Sequence, residues 1–496
     1  MKKVILLLGA VLVLFAGLTI VLTARYESEH VAVDPVLNVA IPEAAAERLA
    51  GALRIRTISS EDPAAFEPAP FGALHDYLRS VFPRVHARLR REPVAAHSLL
   101  YEWPGSDRSL KPILLLGHLD VVPVEGATRG EWEYDPFGGR IADGFIWGRG
   151  AIDNKSTVLG TLEAIEMLLG EGFQPARTVY LAFGHDEEVG GTAGARAIAA
   201  LLRARGIDLE MVLDEGGVIG DGILPGVSEP VALVGIAEKG FVTIELSARV
   251  PGGHSSLPPR HSAVGILSAA VARVEQSPMG ARLEDATRQL FDQVGPRFPI
   301  VERAVFANLW LTRPLVLRRF EASPTTNAMV RTTAAPTIFQ AGTKDNVLPS
   351  YARAVINFRI LPGDTVASVL EHVRAAVEDS RVQVRNVGRF SAEPSPTSRT
   401  DSESFRTLER TIRSVIPEAI VAPYLVVVVT DARYYTDLSP SVFRFLPLRL
   451  TPRDLERMHG TNERIGVREY ETAIRIYRRI IAEAAGSRTE PRTPAA

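Results

Sequence analysis

Between residues 43 and 240 the chain alternates short apolar runs with amphipathic stretches, and this restricts the fold more than any other feature. The runs 113–116, 179–183 and 211–213 are the right length for strands buried on both faces. Between the first two, Val158, Leu162, Ile165 and Leu169 recur at helical spacing. That spacing predicts an amphipathic helix over 156–170, ended by Gly170. Strands that alternate with helices build a sheet with helices on its faces, so the expected class is α/β.

Near Gly240 the pattern changes. Residues 241–250 alternate with period two, as expected of a strand exposed on one face, and 352–360 repeat the pattern. Helix-like segments and an apolar, Arg-rich stretch (303–320) lie between them, and that stretch has no evident role. The α/β character returns from about 389, with an apolar run at 425–429 and a helix expected at 467–484. At 496 residues the chain is too long for one ordinary core. The expected organisation is an α/β domain in two pieces, 43–240 and 389–486, with an α+β lid inserted at 241–388. Residues 487–496, rich in Pro, Thr and Arg, are expected to be disordered.

Hydrophobic content of 46% with 23% charged residues is that of a soluble globular chain. With 56 basic against 58 acidic residues there is no excess to neutralise phosphates, so no nucleic-acid partner is expected. The absence of cysteine excludes disulfides, thiol catalysis and Cys-ligated zinc. At the N-terminus, Lys2 and Lys3 precede an apolar run from Val4 to Thr23 with no clean small-x-small cleavage site after it. A secretory core is about 7–15 residues and a span about 20. Residues 1–25 are therefore read as an uncleaved signal anchor and 26–42 as a stalk, with the rest outside the membrane (periplasmic, extracellular or lumenal). Cleavage of the segment, giving a secreted protein, is the alternative.

Acidic and histidine clusters follow the expected strands or sit in the loops after them: Gly117-His118-Leu119-Asp120, Gly150-Ala151-Ile152-Asp153, His185-Asp186-Glu187-Glu188 and Leu213-Asp214-Glu215. A fifth, Met458-His459-Gly460, opens the last α/β stretch. Ligands of open α/β sheets gather at the carboxyl ends of the strands. Imidazoles with carboxylates suit a pair of zinc-type ions once cysteine is absent. Such a pair needs a bridging carboxylate, and a carboxylate outside the ligand set must carry the proton of the attacking water. Adjacent Glu187 and Glu188 can divide these tasks, one ligating and one free. No Gly-x-Ser-x-Gly elbow is present, so Ser255 and Ser256 are not nucleophiles of that kind, and there is no His-Glu-x-x-His.

Gly117-His-Leu-Asp-Val-Val-Pro123, Trp147-Gly-Arg-Gly-Ala-Ile-Asp-Asn-Lys155 and His185-Asp-Glu-Glu-Val-Gly-Gly191 resemble the M20 metallopeptidase family. More narrowly they resemble its carboxypeptidase S and N-fatty-acyl-amino-acid synthase/hydrolase branch, over about residues 43–484. The resemblance implies a zinc-peptidase-like catalytic domain, a mixed sheet flanked by helices, with an inserted lid that can dimerise. It implies two zinc ions, or cobalt or manganese, with Asp153 as the bridge. His118 and Asp214 would hold one metal, and Glu188 and His459 the other. Asp120 would orient His118, and Glu187 would be the general acid/base. In the lid it makes His254 the group that polarises the scissile carbonyl and Asn346 and Arg359 substrate-binding residues. Arg359 is the natural clamp for a terminal carboxylate. Thr430-Asp431-Ala432-Arg433 matches a substrate loop, although the valines before it depart from the expected glycine-containing pattern.

The expected activity is hydrolysis of an amide bond next to a free carboxylate, in a small peptide or an N-acyl amino acid. Attack by a metal-activated hydroxide is implied, with Glu187 passing the proton. The rival from another class is a metal-free, membrane-tethered binding module on the same fold.

Overall fold

The computed structural model describes residues 2–28, 30–33, 39–388 and 390–486. The tail expected to be disordered, 487–496, and part of the expected stalk, residues 29 and 34–38, lie outside the described residues. In chain order, the elements that carry or support the site are α1 (Lys2–Ala24), β1 (Ile113–His118), α2 (Lys155–Gly170), β2 (Val179–Gly184) and β3 (Met211–Asp214). They continue with β4 (Gly240–Arg249), α3 (Ile300–Ala307), α4 (Leu309–Glu321), β5 (Tyr351–Ile360) and α5 (Val467–Ala485). The chain divides into two compact units.

The larger unit holds Ser28–Ile236, Ser398–Tyr424 and Thr430–Ala496. Its sheet is mixed. β1 lies between β2 and β3, parallel to both, with Ile113 opposite Val179 and Met211 and His118 opposite Gly184. Val442–Arg444 continues the parallel block beside β3, while Ser98–Trp103 runs antiparallel to β2. Every residue of β1, β2 and β3 is buried, which is why their sequences are unbroken apolar runs. α2 starts one residue before its expected span, and Val158, Leu162 and Ile165 are fully buried. Truncating Leu162 to Ala would cost about 2–5 kcal/mol. Two glycines set the approach of α2. A Cβ on Gly117 would meet Asn154 Oδ1 at 3.2 Å, and Gly160 leaves room for the ring of Tyr477 on α5. The Tyr477 hydroxyl then bonds Thr157 Oγ1 at 3.2 Å.

The smaller unit holds Ala237–Thr397 together with Met1–Glu27 and Leu425–Val429. The sequence boundary was 241–388, and three features explain the difference. The antiparallel sheet, ordered Thr333–Ala341, β5, β4, Val382–Asn386, draws in flanking residues, as when Phe241 N donates to Ala392 O at 2.8 Å. Helix α1 belongs to this unit because its C-terminal half packs on α3. The apolar run at 425–429 is strand only to Val426 and then leaves the sheet. The alternating face of β4 and β5 (Val242, Ile244, Leu246, Ile356, Phe358) closes a core with Leu267 of Ala263–Gln276 and Val369 and Val373 of Val366–Val377. A capping box between Thr365 and Ser368 starts the last helix.

The stalk is not a free tether throughout. Val31 N donates to Glu409 Oε1 at 3.0 Å and His30 Nδ1 lies 3.4 Å from the same oxygen, both within the larger unit.

Candidate metal centre

Because β1, β2 and β3 are parallel and in close register, their carboxyl ends open on one edge of the sheet. His118 ends β1, Glu187 and Glu188 follow β2 in a short 3-10 turn, and Asp214-Glu215 closes β3. Asp153 arrives from the loop before α2, and His459 from the loop before α5.

Asp153 stands between the two imidazoles. Its Oδ1 is 2.9 Å from His118 Nε2 and its Oδ2 is 3.1 Å from His459 Nε2. Glu188 Oε2 is 3.2 Å from His459 Nε2, and Glu215 Oε1 is 3.2 Å from His118 Nε2. Two triads have their ligand atoms within 4.8 Å of one another: His118, Glu187 and Glu215, and His118, Asp153 and Glu188. Asp120 is fully buried behind them. Its carboxylate faces His118 Nδ1 at 3.3 Å and accepts the backbone N–H groups of Glu187 (3.2 Å) and Glu188 (3.1 Å).

The ionisation pattern follows from this crowding. Burial, reinforced by the charges of Asp431, Glu215 and Glu188, pushes the Glu187 carboxyl well above its ordinary range. Burial together with Asp153 pushes Glu188 up to about 7 and Glu215 up to about 7. Burial would raise Asp153 too, but the two imidazoles beside it bring it below the usual carboxylate range. Hydrogen bonds to Asp153 and Glu188 hold His459 up to about 10. Burial opposes charge on His118, yet Glu215, Asp120 and Asp153 hold its pKa well above the ordinary value.

This donor set fits divalent cations. Two imidazoles face a shared carboxylate, each with a further carboxylate at hand, and all the donors are N or O. Glu188 Oε1 is buried with no hydrogen-bond partner among the described residues, a costly arrangement unless a cation answers it.

Asp214, expected beside His118, accepts from Glu215 N on Oδ1 at 2.9 Å and from Ala432 N on Oδ2 at 2.6 Å. Its neighbour Glu215 also lies beside His118, and the Asn154 amide donates to the other Glu215 oxygen. His185 points away from the centre, with Nδ1 2.7 Å from Ser98 Oγ, among Phe66, Phe71 and His97.

Two further residues escaped the sequence reading. Buried Glu463 accepts the N–H groups of Gly150 (3.1 Å), Ile152 (2.8 Å) and Asp153 (3.2 Å). Arg149 pairs with Glu463 at 2.6 Å and donates to the carbonyls of His459 (3.0 Å) and Gly460 (3.1 Å). His459 sits at φ 57°, a left-handed conformation that costs a non-glycine residue free energy, and Arg149 helps to hold it there. The only local signals were the Gly-Arg-Gly run around Arg149 and a Glu four residues after His459.

His254, Asn346 and Arg359 lie in the other unit. Gly253–His254 pairs with Val347–Leu348, and Ser255 N donates to Asn346 O at 3.1 Å, so His254 and Asn346 share one small ladder. His254 is exposed, with Ser256 Oγ 2.7 Å from its Nδ1. Arg359, opposite Phe241 in the sheet, lays its guanidinium over that ring at 4.9 Å from the centroid.

Residues 114–483 match the model of peptidase family M20/M25/M40. The chain is 43% identical over 441 residues to a probable carboxypeptidase S-like 2 of Dictyostelium discoideum, covering 88% of this chain and 84% of that one. It is 42% identical over 446 residues to the N-fatty-acyl-amino acid synthase/hydrolase PM20D1 of Homo sapiens, covering 88% of this chain and 87% of that one. Among solved structures, an M20 family metallo-carboxypeptidase from Sulfolobus solfataricus superposes with a TM-score of 0.66 at 18% identity, covering 89% of this chain and 99% of that one. The metal-free binding module finds no support beside these relatives. The chain belongs to peptidase family M20/M25/M40 and is an M20-type metallopeptidase or amidohydrolase acting on peptide or N-acyl amino acid substrates.

Proposed function

We propose that this enzyme hydrolyses the amide bond of N-acyl amino acids carrying a long acyl chain, with two zinc-type ions that would share Asp153 as a ligand. The observation that carries the reading is the placement of Asp153 between His118 and His459, with the Glu187 carboxyl in reach. His118 and Glu215 would hold one ion, Glu188 and His459 the other. When bound, such ions lower the pKa of a shared water and polarise the scissile carbonyl. Cobalt or manganese could serve in their place.

Glu187 moves the proton. Its buried carboxyl, whose proton affinity burial raises well above the ordinary range, can take a proton and return it to the leaving nitrogen. Asp120 keeps His118 in one orientation and fixes the backbone of Glu187 and Glu188. Arg359 would clamp the free carboxylate beside the cut bond, Asn346 would position the substrate and His254 would donate to the carbonyl oxygen. Identity alone does not separate the substrate classes, since the N-fatty-acyl-amino acid synthase/hydrolase of Mus musculus and the probable carboxypeptidase S-like 2 of Dictyostelium discoideum each match at 43% over 88% of this chain. The long acyl chain is favoured by the apolar N-terminal helix, which would keep the enzyme beside a lipid surface.

α1 would anchor the enzyme in a membrane, with the rest of the chain on the non-cytoplasmic side. Residues Lys3–Ala24 form a helix of 22 residues, long and apolar enough to cross. A homodimer through the smaller unit is also proposed, and light scattering would test it. The test of function is a panel of long-chain N-acyl amino acids against dipeptides with the same C-terminal residue, with and without chelator. Chelator-sensitive hydrolysis of the acyl series is expected. A preference for dipeptides would move the enzyme to the carboxypeptidase side, and chelator-resistant turnover would overturn the metal reading.

A further inference from the structure

The Arg-rich segment 303–320 plays no part in the chemistry above, yet within its own unit it is joined to α1. Asn308, between α3 and α4, donates to Thr23 Oγ1 at 3.1 Å and to Thr19 O at 3.4 Å. The ring of Trp310 meets that of Phe15 edge-on, with centroids 4.9 Å apart. Arg303 donates to Tyr26 O at 2.8 Å, just past the end of α1.

Ile300, Val301, Leu311 and Leu315 are between 47 and 69% exposed, and Trp310 keeps 53% of its surface exposed beyond its contact with Phe15. Five large apolar side chains on one helical pair form a patch that a soluble surface does not leave bare. Exposed Arg313, Arg318 and Arg319 are interleaved with them on α4. Beside Trp310, a cavity of about 260 Å³ is lined by Leu283, Arg288, Leu309 and Arg313, so apolar walls and guanidinium groups meet in one recess. Exposed Trp and Leu side chains with arginines between them suit the boundary of a bilayer, where rings and aliphatic chains enter the acyl region and guanidinium groups reach the headgroups.

The depth agrees. Phe15 lies nine residues before Ala24, about 14 Å along the helix axis at 1.5 Å per residue. A Trp packed at that level of a spanning helix is carried below the headgroups into the acyl region of the leaflet.

We propose that α3 and α4 lie in the outer leaflet of the membrane that α1 crosses, with Arg288, Arg313, Arg318 and Arg319 against anionic phospholipid headgroups. The inference rests on α1 as an anchor and is independent of the metal centre and the substrate. It gives the lid a second attachment to the bilayer besides the chain connection.

The chain has no cysteine, so single labels can be placed cleanly. Full-length V301C, L315C, L12C and R385C would carry an environment-sensitive fluorophore. Each would be reconstituted in phosphatidylcholine vesicles, with and without phosphatidylglycerol, containing nitroxide lipids as quenchers. Arg385 is exposed on the strand at the edge of the sheet away from Thr333–Ala341 and serves as reference. Labels at 301 and 315 are expected to be quenched at least threefold more than the label at 385, and more so with phosphatidylglycerol. Quenching at 12 but not at 301 or 315 would overturn the proposal and leave the anchor standing. No quenching at 12, 301 or 315 would overturn both. Equal quenching in the two lipid mixtures would overturn the role of the arginines.

Discussion

Arg149 and Glu463 form a buried ion pair, 2.6 Å from Nη1 to Oε2, that ties the loop bearing Asp153 to the loop bearing His459. The pair is 314 residues apart in sequence. Glu463 accepts the backbone N–H of Asp153, and Arg149 donates to the carbonyl of His459.

Glu463→Gln is expected to weaken metal binding about 10- to 100-fold, the usual effect of removing a group that orients ligands. The amide nitrogen would face Arg149 or the N–H groups of Gly150 and Ile152, where an acceptor is needed. Because it breaks a buried pair, a stability loss of about 3–5 kcal/mol should accompany it. Competition with a calibrated chelator and thermal denaturation check the two parts, and wild-type values in both would remove Glu463 from this role.

Glu187→Gln should keep its metal content and lose about 10²- to 10⁴-fold in kcat. The side chain stays in place but can no longer carry the proton. Elemental analysis alongside single-turnover kinetics decides the matter, and kcat within threefold of wild type would reassign the proton carrier.

Glu215→Ala and Asp214→Ala are expected to differ in kind. Glu215→Ala should reduce bound metal toward one ion per chain, since its carboxylate faces His118. Asp214→Ala should retain the metals and destabilise the fold, because Asp214 accepts Ala432 N and Glu215 N. The reverse pattern would return the ligand role to Asp214.

Metal binding should release protons. With no cation beside it His459 titrates at about 10, above the ordinary 6.5. A raised imidazole pKa stabilises the fold fully below about 6.5, and that contribution is lost as pH rises through about 10. A cation must displace the proton at any pH below about 10, so zinc affinity should rise with pH up to that point. Calorimetry at pH 7 in buffers of different ionisation enthalpy measures the release directly. Identical heats in all buffers would contradict it.

The larger unit was legible because its buried strands are unbroken apolar runs, whereas α2, expected to be amphipathic, is buried on every side from Lys155 to Ile165. The runs at 113–116, 179–183 and 211–213 and the spacing of Val158, Leu162 and Ile165 all became the elements expected of them. Asp214 and Glu215 were not separable, because two acidic neighbours at a strand end alternate in direction. Asp214 accepts from Ala432 N, 218 residues away, while Glu215 lies beside His118, and neither contact has a local sequence signal. Arg149 and Glu463 were hidden for the same reason, since no local pattern announces a partner across three hundred residues. The 303–320 stretch read as helix without purpose because its neighbour, α1, lies at the opposite end of the sequence from the core it was compared with.

The register of β1 against β2 places His118 beside Gly184, so the histidine and the Glu187-Glu188 turn are spaced by two neighbouring backbones and not by flexible side chains. All the residues that gather around Asp153 belong to the same unit. His254, Asn346 and Arg359, the residues proposed to bind substrate, belong to the other unit, so on that reading change within 237–397 would alter substrate choice and leave the cluster around Asp153 untouched. In such a chain, evolution of diet and evolution of reactivity run on separate tracks.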